Sequence, residues 1–452
     1  MKIVIAGVGK VGTRLAYKLS TSGHDITVVD EKSQVLDNCV DRYDVISVHG
    51  NIASMDTMLQ AGVTEADLLI AATSADETNL LACMTAHGLN PKLATIARIR
   101  NPEYSDQIYR MREIFPISLA VNPDRQAALE IERILKYPGF LKRDSFAKGR
   151  AEIVEFRLNE QSVLCDTALA DLMDIVKTQV LVCAVQRSGD VIIPSGDFIL
   201  KKGDRLFVTG STQNLTTFLK NLGIITHKVK RVMICGGSRI SYYLASSLLR
   251  NGIHVQIIEK DQARCEKLAD MLPKATIVCG DASDQYLLES ERIQSYDAMV
   301  SLTGMDELNV VISLYAKSCK VNHVVTKVGH VENNLILDGL DVGSLISPKE
   351  TCCSTIIRYI RAMENQTGAA LTVHSVADGK AEAVEFRVNS TTAHSGEMLK
   401  NIRVKNNYLI AGIIHVGRIE IPNGNSFFVE GDTVIVLSKG DNALNNLNDI
   451  FE

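Results

Sequence analysis

Residues 2–16 are "KIVIAGVGKVGTRLA", a short apolar strand pattern that continues into Gly7-x-Gly9-x-x-Gly12 and then into a helical pattern. In such a loop the first glycine permits a tight turn, the second admits a pyrophosphate, and the third lets the helix pack on the strand. The helix offers free N–H groups to an anion. Asp30 ends the next strand pattern, about 20 residues further on, where a carboxylate accepts hydrogen bonds from ribose hydroxyls and repels a 2′-phosphate. The stretch therefore predicts an NAD-type or other adenosine site rather than an NADP site.

The chain contains an internal duplication. The glycine-loop pattern returns in residues 231–245, "RVMICGGSRISYYLA", and "ADETNLL" at 75–81 returns as "MDELNVV" at 305–311. Further along, "EIVEFRL" at 152–158 returns as "EAVEFRV" at 382–388. The order is therefore A–B–A′–B′, in which A begins with the glycine loop and B is a shorter unit.

The two units predict different folds. Unit A alternates short strands rich in β-branched residues with amphipathic helical stretches, which is typical of βαβ crossovers. Unit B has closely spaced strands with turn signals such as Ser188-Gly189, which is typical of a mostly antiparallel module. We expect an α/β protein with two Rossmann-like, doubly wound parallel-sheet domains, each followed by a small α+β module. The expected domains are residues 1–135 (Rossmann-like), 136–220 (linker and small module), 228–360 (Rossmann-like) and 361–452 (linker and small module).

A helix is expected after each unit A, one starting at Asn122-Pro123 and the other in "ISPKETCCSTIIRYIRAM". Helices that extend from the end of a sheet domain often dock on another copy. We therefore expect the protein to self-associate.

The composition limits the possible classes of protein. Hydrophobic residues make up 46% of the 452 residues and charged residues 22%, as in ordinary globular proteins. The net charge of −5 gives no overall attraction to nucleic acid. The ten cysteines include no C-x-x-C pair, which is typical of reduced cytosolic thiols. No apolar run approaches the ~20 residues of a membrane-spanning helix, so any connection to a membrane is expected to go through a partner.

The first expected site lies where the parallel strands end, because open α/β sheets bind ligands at that edge. Asn51 is expected near the adenine, and Thr73 and Ser74 near the phosphates or the second ribose. Arg98 and Arg100 suit a phosphate, although an ion pair on the surface explains either arginine equally well. The expected residues are Gly7, Val8, Gly9, Lys10, Val11, Gly12, Asp30, Glu31, Asn51, Thr73, Ser74, Arg98 and Arg100.

The second loop departs from the glycine pattern, because Ser238 and Ser241 replace the second and third glycines. Glu259 keeps the ribose-binding acid, so the loop is expected to hold either a smaller or weaker nucleotide ligand or none. The expected residues are Gly236, Gly237, Ser238, Arg239, Ile240, Glu259, Asp281, Thr303 and Lys327.

Motifs for chemistry are missing from the sequence. We find no Tyr-x-x-x-Lys pair, no Gly-x-x-x-x-Gly-Lys-Ser/Thr loop, no H-E-x-x-H and no histidine cluster at metal-ligand spacing. Unit B offers no obvious acid or base beside a cofactor. We therefore expect no catalytic residue and no metal site, and a nucleotide that is sensed rather than consumed. An NAD-dependent oxidoreductase with a duplicated cofactor domain remains the alternative.

The A–B–A′–B′ order, with "VIAGVGKVGTRLA", "ITVVD", "AATSADETNLLAC" and the Gly-Asp turns of unit B, resembles the tandem RCK-domain family (regulators of potassium conductance) over essentially the whole chain. The resemblance implies that units A and A′ are RCK N modules that bind NAD, NADH or ATP/ADP, and that units B and B′ are regulatory C modules.

The same resemblance implies a regulatory subunit at the cytoplasmic face of the inner membrane. Such a subunit assembles as a ring, expected to be a tetramer, beneath a Trk-type potassium transporter subunit similar to TrkH or TrkG, and controls potassium uptake. A regulator of a potassium efflux system is the second alternative, which the sequence does not separate from uptake.

Overall fold

The structure is a computed structural model of the chain. It describes residues 1–110, 116–136, 142–146, 151–158, 162–223, 229–329, 340–364, 370–377, 380–440, 444 and 446–452. Over these residues the chain forms two six-stranded parallel sheets and two five-stranded antiparallel sheets. The expected fold class is confirmed.

The first parallel sheet has the strand order β3-β2-β1-β4-β5-β6. Its strands are β1 (Lys2–Ala6), β2 (Asp25–Asp30), β3 (Ile46–His49), β4 (Leu68–Ala71), β5 (Ala94–Arg98) and β6 (Leu119–Val121). Its helices are α1 (Lys10–Ser20), α2 (Ser33–Val40), α3 (Met55–Gln60), α4 (Asp76–Leu89), α5 (Pro102–Arg110) and α6 (Pro123–Lys136). The strand order reverses between β1 and β4, and ligands of open α/β sheets bind at such a point.

The first antiparallel sheet has the order β10-β9-β11-β8-β7. Its strands are β7 (Lys142–Phe146), β8 (Ala151–Arg157), β9 (Leu181–Arg187), β10 (Asp190–Ile192) and β11 (Arg205–Gly210), and its helices are α7 (Leu172–Val176) and α8 (Thr212–Asn221).

The second parallel sheet repeats the first, with the order β14-β13-β12-β15-β16-β17. Its strands are β12 (Arg231–Cys235), β13 (His254–Glu259), β14 (Thr276–Cys279), β15 (Ala298–Ser301), β16 (His323–Lys327) and β17 (Ser344–Ile346). Its helices are α9 (Arg239–Arg250), α10 (Gln262–Met271), α11 (Gln285–Ser290), α12 (Asp306–Ser318) and α13 (Pro348–Glu364).

The second antiparallel sheet also repeats its counterpart, with the order β18-β19-β22-β20-β21. Its strands are β18 (Ala370–Val376), β19 (Ala381–Arg387), β20 (Tyr408–His415), β21 (Arg418–Glu420) and β22 (Thr433–Lys439). The two antiparallel sheets share one hydrophobic core, in which Phe146 and Phe207 of the first meet Val376 and Ile435 of the second.

The helices that follow the two parallel sheets are exchanged between the halves. Helix α6 packs against α9, and its Ile131 is buried in one core with Val232 and Leu244. Helix α13 packs against α1, and its Cys353 and Ile356 complete the core of the first sheet. We expected these helices to dock on another copy, but the docking shown here lies within the chain. The duplication supplies the second sheet domain, so the apolar faces are buried without a second chain.

Among the described residues, no helix combines the length and the apolar character needed to cross a membrane.

Candidate functional site

The first glycine loop has one open position and two crowded ones. A Cβ on Gly12 would lie 1.9 Å from the carbonyl oxygen of Gly7, and a Cβ on Gly7 would lie 2.7 Å from the Cα of Thr73. Gly7 also has a φ of 89°, which favours glycine. A Cβ on Gly9 would meet no atom of the described residues within 4 Å. Gly7 and Gly12 are therefore required by the fold, whereas Gly9 leaves space beside the backbone where an anion can approach.

Asp30 is held at the start of this loop by two backbone groups. The Val8 N–H donates to its Oδ2 at 2.7 Å, and the Lys32 N–H donates to its Oδ1 at 3.0 Å. Gly9 caps α1 without a side-chain hydrogen bond. The carboxylate is therefore fixed with further lone pairs available to ribose hydroxyls, and the first N–H groups of α1 stay available to a phosphate.

Asn79 joins the ends of β4 and β5. Its Oδ1 accepts the N–H of Thr73 at 2.9 Å and the hydroxyl of Thr73 at 2.7 Å, and its Nδ2 donates to the carbonyl oxygen of Arg98 at 2.8 Å. The side chain is completely buried. From the sequence alone, a polar residue near the start of a helical pattern fits an N-cap and a ligand contact equally well. The signal for its actual role was its repetition as Asn309, which makes the same contacts with Thr303 and Lys327.

The guanidinium of Arg98 lies at this strand-end junction. Its Nη1 donates to the carbonyl oxygen of Thr73 at 3.0 Å, while its Nε is buried and has no hydrogen-bond partner among the residues that the structure describes. Burial, followed by the like charge of Arg100, lowers the pKa of Arg98. A buried donor without a partner costs about 1–3 kcal/mol. A phosphate that reached this guanidinium would supply such a partner, so the residue type present suits the phosphates of a nucleotide.

Arg100 is directed elsewhere. Its Nε lies 3.0 Å from the Oδ2 of Asp124, an almost fully buried residue in the first turn of α6. Asp76 accepts the backbone N–H groups of Arg100 and Asn101, which lie in the loop between β5 and α5, and it does not cap its own helix. Arg100 therefore links the first crevice to the exchanged helix, and its expected phosphate contact competes with that ion pair.

Four further expected residues, Lys10, Glu31, Asn51 and Ser74, are exposed at the same edge of the sheet. Lys10 begins α1, and Ser74 follows β4. Asn51 follows β3, and its Oδ1 accepts the N–H of Ala53 at 2.8 Å. Glu31 follows Asp30 and accepts a contact from the ring of His49 through its carbonyl oxygen. The positions of these four are compatible with the expected site, whereas the side chains of Val8 and Val11 are buried in the core and leave only their backbone groups for a ligand.

The second sheet holds a cavity of about 270 Å³ at the corresponding edge. It is lined by Gly236, Gly237, Ser238, Ile258, Glu259, Lys260, Gly280, Asp281, Ala282, Leu302, Thr303, Gly304, Met305 and Leu308. Of the expected second-site residues, Arg239, Ile240 and Lys327 lie outside this lining. The Lys327 ammonium donates to the carbonyl oxygen of Thr303, as Arg98 does to Thr73, and burial lowers the pKa of Lys327.

A side chain of the second loop caps one of the free N–H groups at the start of α9. The Oγ of Ser238 accepts the N–H of Ser241 at 3.3 Å, and the Ser241 hydroxyl donates to the carbonyl oxygen of Gly236. Glu259 accepts the N–H of Gly237, as Asp30 accepts that of Val8. The acid and the cavity are therefore retained, while one of the N–H groups that would bind a phosphate is already used.

Comparison with known proteins identifies the domains. The TrkA-N domain model matches residues 3–123 and 232–348, and the TrkA-C domain model matches residues 153–223. The Trk system potassium uptake protein TrkA of Haemophilus influenzae is 29% identical over 459 residues, which cover 100% of this chain and 99% of that protein. A TrkA homolog of Archaeoglobus fulgidus is 30% identical over 452 residues, which cover 100% of both chains. The structure of the GsuK channel bound to NAD has the same fold, with a TM-score of 0.62, 16% identity, and coverage of 97% of this chain and 76% of that chain.

Proposed function

Because the chain belongs to the TrkA family, we propose that it is the nucleotide-sensing regulatory subunit of a Trk-type potassium uptake system. In this proposal it lies at the cytoplasmic face of the membrane and controls a TrkH-like or TrkG-like subunit that carries the potassium. The observation that carries the proposal is the contrast between the two glycine loops, one open at Gly9 and the other capped by Ser238.

The first crevice is proposed to bind NAD or NADH. Asp30 supplies the ribose acceptor, Gly9 leaves room for a pyrophosphate, and Arg98 has a buried donor to offer. ATP and ADP share the adenosine portion, so the same residues would hold them. The NAD-bound GsuK structure supports the choice of ligand class, since it has the same fold.

The nucleotide is proposed to be released unchanged. The relatives from Haemophilus influenzae and Archaeoglobus fulgidus are named as potassium uptake proteins, which supports a regulatory role rather than an oxidoreductase. Sustained multiple turnover of NADH with carbonyl substrates by the purified protein would contradict this part of the proposal.

Self-association into a ring, a tetramer in this proposal, would use other surfaces than the apolar faces of α6 and α13, because those faces are buried within the chain. Helix α4 exposes Leu81 and Met84, and α12 exposes Val311 at the position equivalent to Leu81. Apolar side chains exposed at equivalent positions of both halves suit contacts between copies.

In a ring, small differences in binding free energy at the individual crevices add up to a large change in conformational population. Changing a two-state population from 1:99 to 99:1 takes about 5.5 kcal/mol of differential binding. Divided among several crevices of a ring, this is about 1 kcal/mol per crevice, within the range of allosteric coupling energies. Exchange of ATP for ADP, or of NADH for NAD, is proposed to supply that difference.

The proposal is tested with Asp30→Ala and Arg98→Ala. Each removes a charged partner, so affinity for NADH or ADP in calorimetric titration is expected to fall about tenfold to a hundredfold. Asp25→Ala is the matched control, because Asp25 is exposed at the opposite end of the same strand. Potassium uptake in a strain lacking its own copy should lose nucleotide regulation with the first two variants alone. Unchanged affinity in both variants would reject the site.

A further inference from the structure

Two cysteines meet beside the cavity of the second sheet. Cys265 lies on α10, and its thiol donates to the carbonyl oxygen of Glu259 at 3.2 Å. The N–H of Gly280 donates to the same oxygen at 2.9 Å. Since both groups bond to one atom, the sulfur of Cys265 lies next to the peptide that joins Cys279 to Gly280.

Cys279 approaches from the strand side. It is the last residue of β14 and pairs with Glu259 in the register of β13 and β14. Its Sγ contacts the Oε1 of Gln262 at 3.1 Å. Gln262 and Cys265 are three residues apart on α10 and therefore share one face of the helix. Both thiols consequently occupy the same gap between α10 and β14.

The two thiols differ in access to solvent. Cys279 is exposed and Cys265 is buried. Burial, followed by the hydrogen bond and charge of the neighbouring Cys279, raises the pKa of Cys265 to about 11. Cys265 is therefore protonated at neutral pH, and an oxidant from solvent reaches Cys279 first.

We infer that Cys265 and Cys279 form a reversible disulfide when the protein meets a peroxide. The Cys279 thiolate attacks one oxygen of hydrogen peroxide, which gives a sulfenic acid and, after protonation of the departing hydroxide, water. The sulfur of Cys265 then attacks the sulfur of Cys279, loses its proton, and displaces a second water. The two thiols lose two electrons and two protons, and one peroxide becomes two waters.

The disulfide between Cys265 and Cys279 would affect the cavity of the second sheet and not the first crevice. Gly280 and Asp281 follow Cys279 directly and line that cavity together with Glu259. In the first sheet, His49 takes the place of Cys279 as the neighbour of Asp30. The disulfide itself does not rest on the proposed function, whereas its effect on ligand binding does.

Peptide mapping tests the bond. Full-length protein is treated with hydrogen peroxide, free thiols are alkylated, and the protein is digested with trypsin. We expect "CEK" (265–267) linked to "ATIVCGDASDQYLLESER" (275–292), lighter by two hydrogen atoms than the sum of the reduced peptides and lost after dithiothreitol. Cys319→Ser should still give the linked pair, whereas Cys279→Ser should not. Oxidation of Cys279 to its sulfinic acid without a linked peptide would overturn the inference.

A second measurement tests the effect on the cavity. ADP binding is compared between oxidised and reduced protein carrying Asp30→Ala, which weakens the first site. Oxidation should change the affinity about fivefold or more, reversibly with dithiothreitol. Equal affinity in both states would overturn the effect on the cavity. Absence of ADP binding in both states would contradict nucleotide binding in the cavity of the second sheet. The peptide map would still show whether the disulfide forms.

Discussion

The Nε of Arg14 on α1 lies 2.7 Å from the Oε1 of Glu350 on α13, although 336 residues separate them. The ammonium of Lys18, one turn further along α1, lies 2.9 Å from the other oxygen of the same carboxylate. The contact exists because α13 leaves its own sheet and packs on the helix that begins the first glycine loop. A shift of the first turn of α13 would therefore act on the helix whose first N–H groups are proposed to bind a phosphate.

Glu350→Gln should weaken the contact between α13 and α1 in a pH-dependent way. Burial alone would raise the pKa of Glu350, but the hydrogen bond and charge of Lys18, with those of Arg14, outweigh it and lower the pKa. A carboxyl group whose pKa is lower in the folded than in the unfolded state contributes its full stabilisation at pH values above its ordinary pKa of 4.5. That stabilisation is lost as the pH falls through the pKa of the folded state. The free energy of unfolding of the wild type should exceed that of Glu350→Gln by about 1 kcal/mol at pH 7, allowing for solvent screening.

Urea unfolding at pH 7 and at several values below 4.5 measures this difference. Glu430→Gln is the control, because its side chain is exposed. A difference between wild type and Glu350→Gln that stays the same at every pH would contradict the assignment.

Ile131→Ala should destabilise the second parallel sheet rather than the first. Ile131 lies on α6, which follows the first sheet, but its side chain is fully buried beside Val232 and Leu244. Removing a buried isoleucine side chain down to alanine costs about 2–5 kcal/mol. Hydrogen exchange should show β12 losing more protection than β1.

Leu129→Ala provides the control on the same helix, because Leu129 is exposed. It should change the protection of neither strand. Greater loss in β1 than in β12 after Ile131→Ala would mean that α6 belongs energetically to its own sheet.

Local sequence patterns predicted the sheets, but they did not predict which helices pack against which sheet. The glycine loop and Asp30 could be located because each lies next to a strand with its own apolar pattern, and the structure places them together. The pattern around Pro123 predicted a helix with an apolar face, but such a face does not say which surface covers it. The exchange of α6 and α13 therefore required the three-dimensional structure. Asn79 was underestimated because its burial depends on β5, a strand distant in sequence.

The glycines of the first loop should separate binding from folding. Gly9→Ala adds a methyl group where φ is −79° and where, in the part of the chain that the structure describes, no atom lies within 4 Å, so the melting temperature should hardly change. The same methyl would block the approach of a pyrophosphate, so affinity for NADH should fall about tenfold or more. Calorimetric titration and thermal unfolding of one preparation measure both effects.

Gly12→Ala is the matched variant, since its methyl would lie 1.9 Å from the carbonyl oxygen of Gly7. It should lose about 1–3 kcal/mol or more of stability. Equal losses of stability would contradict the packing difference between the two glycines, and full NADH affinity in Gly9→Ala would show that the loop does not hold a phosphate.

Ser238→Gly should open the second loop to a phosphate. Its hydroxyl now accepts the N–H of Ser241, and glycine at an N-cap costs only a few tenths of a kcal/mol. The freed N–H is expected to raise ADP affinity about tenfold, measured by titration of protein carrying Asp30→Ala. Ser211→Gly removes an equivalent cap from α8, outside the cavity, and should leave ADP affinity unchanged. Unchanged or weaker ADP binding in Ser238→Gly would mean that capping does not limit the second site.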